Sequence, residues 1–207
     1  MNRTIIGGVV MGVAGLGLAA LAGNGAASAR ASGTGAPAAE GAFKVDAVHS
    51  SVVYRVKHLN VSNFYGRFGK VEGSFALNKA DPGKSELSVT IPTDSIDSNN
   101  AKRDGHLKSQ DFFSAKEFPT ITFKGKAFTK KSDTAWEVVG DISLKGVTKP
   151  ITVTVEDTGT GKGMRGQGEI AGVASTFTIK RSEFGMNYML DGLSDEVTIM
   201  VGLEGAR

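Results

Sequence analysis

Short apolar–polar alternations recur along this chain from residue 43 to residue 203. Val52, Tyr54 and Val56 are apolar, and the charged Arg55 and Lys57 stand beside them. The beat returns at Leu87-Val89-Ile91, Ile121-Phe123, Trp136-Val138, Ile142-Leu144, Ile151-Val153-Val155, Phe177-Ile179 and Val197-Ile199-Val201-Leu203. A period of two places alternate side chains on one face of a strand. A succession of such strands, with no long helical pattern between most of them, points to an antiparallel sandwich or barrel. A barrel of about eight strands is just wide enough to be filled by side chains or to hold one small ligand. The functional question is whether the interior is full or hollow.

The first residues read differently. Arg3 is the only charge before Arg30, Ile5 to Ala22 is apolar, and Ala27-Ser28-Ala29 has a small-x-small cleavage pattern. This is the layout of a secretory signal peptide over residues 1–29, with an uncleaved membrane anchor as the alternative. Residues 30–41 hold no large apolar side chain and are expected to form a flexible linker. All aromatic residues follow it, so the folded domain is expected over residues 42–207.

The chain has no Cys, which excludes thiol chemistry and Cys-based metal sites. A net charge of +3, spread among acidic neighbours, gives no footprint for a nucleic-acid partner.

Strands are expected at Phe43–Ala47, Val52–Lys57, Phe68–Leu77 after a corner at Asn63-Phe64-Tyr65-Gly66, and Glu86–Ile91. Asp81-Pro82-Gly83 forms a turn, because Pro sets one dihedral and Gly permits the next. The stretch from Asp94 to Pro119 breaks the pattern. Asn99 is read as the cap of a short helix through Lys102, Arg103, His106 and Leu107. With Phe112, Phe113 and Phe118 in it, this connection is expected to pack on the barrel, across a mouth or along a side. Strands resume at Thr120–Phe128, Trp136–Leu144, Ile151–Val155, Met164–Ala174, Thr176–Lys180 and Val197–Leu203, with Gly159, Gly161 and Gly163 read as a hairpin tip. Glycines within strands, such as Gly69, Gly73 and Gly140, suit bends where a sheet curls closed.

Two polar residues continue apolar faces. Val52, Tyr54 and Val56 lead to His58, and Phe177 and Ile179 lead to Arg181. An inward charge needs a partner. Either both reach water or backbone carbonyls at the barrel ends, or they mark the polar mouth of an apolar pocket and meet a ligand headgroup. His49, His58 and His106 show no metal-binding spacing, so no metal is expected. No Ser lies in a Gly-x-Ser-x-Gly setting, and Asp104 and His106, two apart, do not face each other on a helix. No paired carboxylates suggest a glycosidase. No catalytic residues are assigned, and the chain is not expected to be an enzyme.

His49-Ser50, Val53-x-Arg55-Val56-Lys57-His58, Gly66-x-Phe68, Arg103-Asp104-x-His106-Leu107-x-Ser109-x-Asp111-Phe112-Phe113, Phe118-Pro119-x-Ile121-x-Phe123, residues 140–150 and Lys180-Arg181-Ser182-Glu183-Phe184-Gly185-Met186 resemble, in order and spacing, the YceI-like family. The resemblance spans Phe43 to Glu204. Glu183 departs from the Asp expected there but keeps the charge.

The resemblance implies an all-β fold: an exported, lipocalin-like eight-stranded antiparallel β-barrel with a short helical segment in a long connection. It implies a periplasmic home and an apolar cavity for a polyisoprenoid lipid or quinone, with no other cofactor. Residues expected to line that cavity are Tyr54, Val56, Phe68, Phe75, Val89 and Phe112, together with Phe113, Ile121, Phe123, Trp136, Phe177 and Ile179. His58, Arg103, Asp104 and Arg181 are expected at the mouth, near the headgroup. The partners expected are an isoprenoid lipid, a transient membrane contact and, in some settings, a second copy. The alternatives are a filled barrel acting as a structural or stress-response interaction protein, and an enzyme acting on a bound amphiphile.

Overall fold

The computed structural model describes residues 41–207 apart from Gln167; the expected signal peptide and residues 30–40 of the expected linker lie outside the described residues. Eleven strands follow one another in the described residues: β1 (Phe43–Val45), β2 (Ser51–His58), β3 (Ser62–Phe68), β4 (Glu72–Ala76), β5 (Glu86–Pro92), β6 (Ile96–Asp97), β7 (Thr120–Lys130), β8 (Ala135–Leu144), β9 (Val147–Lys162), β10 (Glu169–Lys180) and β11 (Leu193–Ala206). Among the described residues one α-helix, α1 (Ala101–Leu107), lies between β6 and β7.

Pairing joins these into a closed barrel of eight antiparallel staves. The pairs β1/β2, β3/β4 and β5/β6 are each one stave interrupted by a short break, and β7 to β11 are the other five. Each stave pairs with its neighbours in sequence. The last meets the first, as Ile199 faces Tyr54 and Gly205 faces Val45. Closure removes the exposed edges that an open sheet would present.

The expected pattern holds for most strands, with informative shifts. Residues 63–66, read as a corner, lie inside β3, paired residue for residue with β2. The reversal comes earlier, at Leu59 and Asn60, whose φ values of 49° and 55° are left-handed. Asn100 caps α1 in place of Asn99: its side chain accepts from the Arg103 N–H at 3.0 Å. Gly159 and Gly161 lie within β9, and the tip falls at residues 163–168.

The meander puts the connections 59–61, 98–119, 145–146 and 181–192 at one end of the barrel, hereafter the mouth. The other end is the base. Along β8 the inward residues run from Trp136 and Val138 at the base, both fully buried, through Gly140 to Ile142 and Leu144 near the mouth. Phe43 stacks on Phe75 with ring centres 5.7 Å apart, and both join Trp136, Val138 and Val155 in a core that seals the base. Burying such side chains stabilises the fold by about 1.5–3 kcal/mol each.

Candidate functional site

Above that seal the barrel is hollow. A cavity of about 510 Å³ runs from the middle of the barrel to the mouth. Every stave contributes to its wall, for example Val56, Phe68, Val89, Phe123, Ile142, Val155, Phe177 and Ile199. The lining is overwhelmingly apolar, and the volume lies within the range of about 300–1,000 Å³ usual for small-molecule sites. Gly140 makes room for the Phe123 ring that lines it: a Cβ there would stand 2.6 Å from that ring and 2.5 Å from the Lys124 carbonyl oxygen.

Of the residues expected on the wall, Tyr54, Val56, Phe68, Val89, Phe112, Phe113, Ile121, Phe123, Phe177 and Ile179 face the cavity. Phe75 and Trp136 do not. Both belong to the base core, at 2% and 0% exposure. Alternation shows which face of a strand points inward but not how far along the axis a residue stands, so it does not separate the closed end from the open one.

The mouth is roofed by two connections that lock together. Phe112 is buried, and His106 and Tyr188 pack edge-on with it and with each other, at ring separations of 4.9–5.3 Å. Phe113 meets Phe68 edge-on at 5.7 Å. Lys145 donates to the Gln110 carbonyl at 2.8 Å and the Gly185 carbonyl at 3.0 Å, so three of the four mouth connections share one ammonium group. Burial holds the Lys145 ammonium below its ordinary pKa.

The expected headgroup residues divide. His58 and Arg103 line the cavity near its mouth. Arg103 is also engaged: its guanidinium lies 4.4 Å from the centre of the Phe64 ring and donates to the Ser98 hydroxyl and carbonyl. Asp104 is turned away from the cavity, accepting from the Ser98 N–H at 2.8 Å and from its hydroxyl. That pairing tethers α1 to the end of β6.

Arg181 touches the cavity, but its charge is consumed. It is 3% exposed, and all five of its N–H groups donate to backbone carbonyls: Ser194, Met186, Tyr188, Met189 and Leu193. Burial lowers its pKa, and nearby Asp195 opposes that shift. Asp195 in turn accepts from the Ser182 N–H and hydroxyl, both at 2.8 Å. Arg181 therefore organises the 186–194 connection. This is the first of the two alternatives that the sequence leaves open for Arg181, satisfaction by backbone carbonyls at the barrel end, and not the ligand headgroup.

One wall residue also carries a polar atom, tucked against the backbone of β3 at Gly66. The Tyr54 hydroxyl is buried and has no hydrogen-bond partner. Burial pushes its pKa from 10.0 up to about 12.

No catalytic constellation converges on the cavity among the described residues. His106 pairs with Asp111 at 2.8 Å, but both side chains are about half exposed, at the rim. Away from the mouth, where β1 gives way to β2, Asp46, His49 and Glu204 gather within ion-binding reach. A hydrogen bond of 2.8 Å from the His49 ring to Asp46 accounts for their approach. The Asp46 carboxylate raises the His49 pKa, and His49 lowers that of Asp46.

Comparison with known proteins agrees with this architecture. The chain is 37% identical over 167 residues to a UPF0312 protein of Pseudomonas aeruginosa, covering 80% of this chain and 86% of that one. It is 37% identical over 172 residues to a UPF0312 protein of Yersinia enterocolitica, covering 83% and 88%. Among solved structures it is similar to the Campylobacter jejuni YCEI protein, with TM-score 0.65, 32% identity and coverage of 73% and 89%. Burkholderia cenocepacia BcnA shares the fold, with TM-score 0.71, 24% identity and coverage of 78% and 99%. So does a domain from Saccharophagus degradans described as polyisoprenoid-binding, with TM-score 0.62, 16% identity and coverage of 80% and 98%. The sequence pattern of the YceI-like domain matches residues 43–205, and the chain belongs to that family.

Proposed function

We propose that this protein binds a polyisoprenoid chain, as a quinone or a related prenyl amphiphile, inside the barrel and serves as its carrier, store or scavenger. The observation that carries this reading is the hollow: an apolar cavity of about 510 Å³, continuous with the mouth and walled by all eight staves. A prenyl tail is apolar, long and flexible. Its burial is favourable by about 25 cal/mol per Å² and needs no directional chemistry. The description of the Saccharophagus degradans domain supports the same class of guest. The half-exposed rim position of the His106–Asp111 pair favours binding over catalysis.

The apolar N-terminal stretch supports export to the periplasm. A transient membrane contact fits the mouth, where Leu59, Val61, Tyr188, Met189 and Leu190 are all more than 40% exposed. Tyr188 and Met189 also line the cavity, so a tail passing between bilayer and barrel would stay against apolar surface.

The test is native mass spectrometry of the exported protein purified without detergent, followed by organic extraction. A stoichiometric prenyl lipid is expected. Protein that is free of lipid and stays so after incubation with prenyl quinones would refute the reading and favour an interaction protein.

A further inference from the structure

The cavity is closed at the base, and one small side chain stands on the way to its closed end. Along β10 the inward residues run from Ile179 and Phe177 on the mouth side to Ser175 and then Val173. Trp136, Val155, Ser175 and Val201 face one another in register across β8 to β11. Trp136, Val155 and Val201 are bulky and apolar. Ser175 is the exception: it lines the cavity and is partly exposed there, and its hydroxyl is held to the wall by donating to the Thr154 carbonyl at 2.7 Å.

Beyond Ser175 the cavity ends on Val173, Leu203 and Leu87. Val173 pairs with Leu203 across β10 and β11. Leu87 pairs with Phe75, which belongs to the base core and no longer faces the cavity. From Arg181 at the mouth down β10 to Val173, the well is roughly 20 Å deep, at about 3.3 Å per residue and the tilt of about 40° usual for closed barrels. An apolar tail gains about 25 cal/mol for each Å² that it buries there, and any length left outside the mouth gains nothing from the wall. A larger side chain at Ser175 would take the space between Val155 and Val201 and cut off the end of the well.

We infer that Ser175 is a specificity-determining residue: its small side chain keeps open the way to the closed end of the cavity, and the base seal below it sets the longest tail that is held in full. This rests on the lipid-binding reading above and adds tail length to the chemical class of the guest. An apolar wall distinguishes similar tails only weakly by contact. A floor distinguishes them by room, because Phe75 and Trp136 are close-packed at 2% and 0% exposure and such an interior yields little.

The experiment offers the exported protein an equimolar mixture of prenyl benzoquinones of graded tail length and reads by native mass spectrometry which of them it retains. Retention by wild type should climb with tail length and level off once the extended tail exceeds roughly 20 Å. In Ser175→Leu it should level off at least one isoprene unit earlier, with the shortest tails retained as in wild type. Ser175→Ala, which removes the hydroxyl and keeps the room, should leave the limit where it is. Thermal melting checks the fold, and if Ser175→Leu does not fold, Ser175→Val, a residue suited to a strand, is read in the same way. Retention that keeps climbing through the longest tails overturns the inference by showing that the floor sets no limit. A limit unmoved in the folded bulky variant, or moved in Ser175→Ala, overturns the role of Ser175 while leaving lipid binding intact. Failure of wild type to retain any quinone overturns the lipid-binding reading and this inference with it.

Discussion

Gly66 faces Tyr54 across the β2–β3 ladder, and a methyl group added at Gly66 would overlap the Tyr54 ring. The aromatic side chain takes the space that a Cβ leaves empty, and the backbone φ at Gly66 is not in the left-handed region. Steric room, not conformational freedom, is what this glycine supplies.

Gly66→Ala should therefore destabilise the barrel by about 1–3 kcal/mol, the range for forcing extra volume into a packed site. Tyr54→Ala in the same chain should recover most of that loss, because the two changes share one space. Urea unfolding of the four proteins of this cycle measures the coupling. Additive losses would show that the ring does not rest on Gly66.

The mouth depends on Arg181 in a different way. Arg181→Met keeps the length and removes five donors at once, leaving the carbonyls of Met186, Tyr188, Met189, Leu193 and Ser194 without their partner. A cost of about 3 kcal/mol is expected. The diagnostic readout is hydrogen exchange. The Met186 and Leu193 amides, bonded at 3.1 and 2.8 Å to the Arg181 and Met189 carbonyls, should lose protection while amides of β7 to β9 keep theirs. Uniform loss along the chain would mean that Arg181 supports the whole barrel and not the 186–194 connection in particular.

These two residues mark what the sequence makes legible. Parity along β10 placed Arg181 on the inward face, after Phe177 and Ile179, and required it to find partners. Backbone carbonyls are one of the two alternatives that parity leaves open, but which carbonyls is not legible, since a carbonyl has no residue type. Parity likewise set Trp136 and Phe75 inward, yet an alternation has no marker for depth, and both proved to seal the base. Asn63 and Gly66 are turn formers by local preference, and the sequence therefore suggests a corner there. Pairing with β2 overrides that preference, and the reversal is made instead at Leu59 and Asn60 with left-handed backbone. Long, regular strands with one apolar face, such as β8, were legible because burial and alternation there agree at every residue.

The two faces of the wall give a paired prediction. Phe123 points into the cavity over Gly140, whereas Glu137 lies outside, 3.2 Å from Lys131. Phe123→Asp should abolish lipid retention or folding, because an unpaired carboxylate enters an apolar interior. Glu137→Lys should leave lipid content unchanged and cost less than about 1 kcal/mol, the scale of an exposed ion pair. Extraction and thermal melting of both variants decide it, and lipid loss in Glu137→Lys would reverse the assignment of faces.

At the β1–β2 junction, the Asp46 carboxylate raises the His49 pKa above 6.5. The stabilisation from this pair is present below the unfolded value and is lost as pH rises through the folded one. It is small, since both groups are well exposed. Proton NMR of the imidazole should give a midpoint above 6.5 that falls towards it in Asp46→Asn. A midpoint that ignores the substitution would mean that the hydrogen bond is not formed in solution.

Alkaline titration reports on Tyr54. Its pKa is pushed from 10.0 to about 12 chiefly by burial, with Asp104 adding to the shift and Arg103 opposing it. Between those values the folded protein holds a proton that the unfolded chain has released, so stability falls as pH rises through the window. The loss approaches roughly 2 kcal/mol at its upper end. The difference in phenolate absorbance between wild type and Tyr54→Phe isolates this residue, and it should rise only as the pH approaches 12. A difference signal centred near 10 would place the hydroxyl in water.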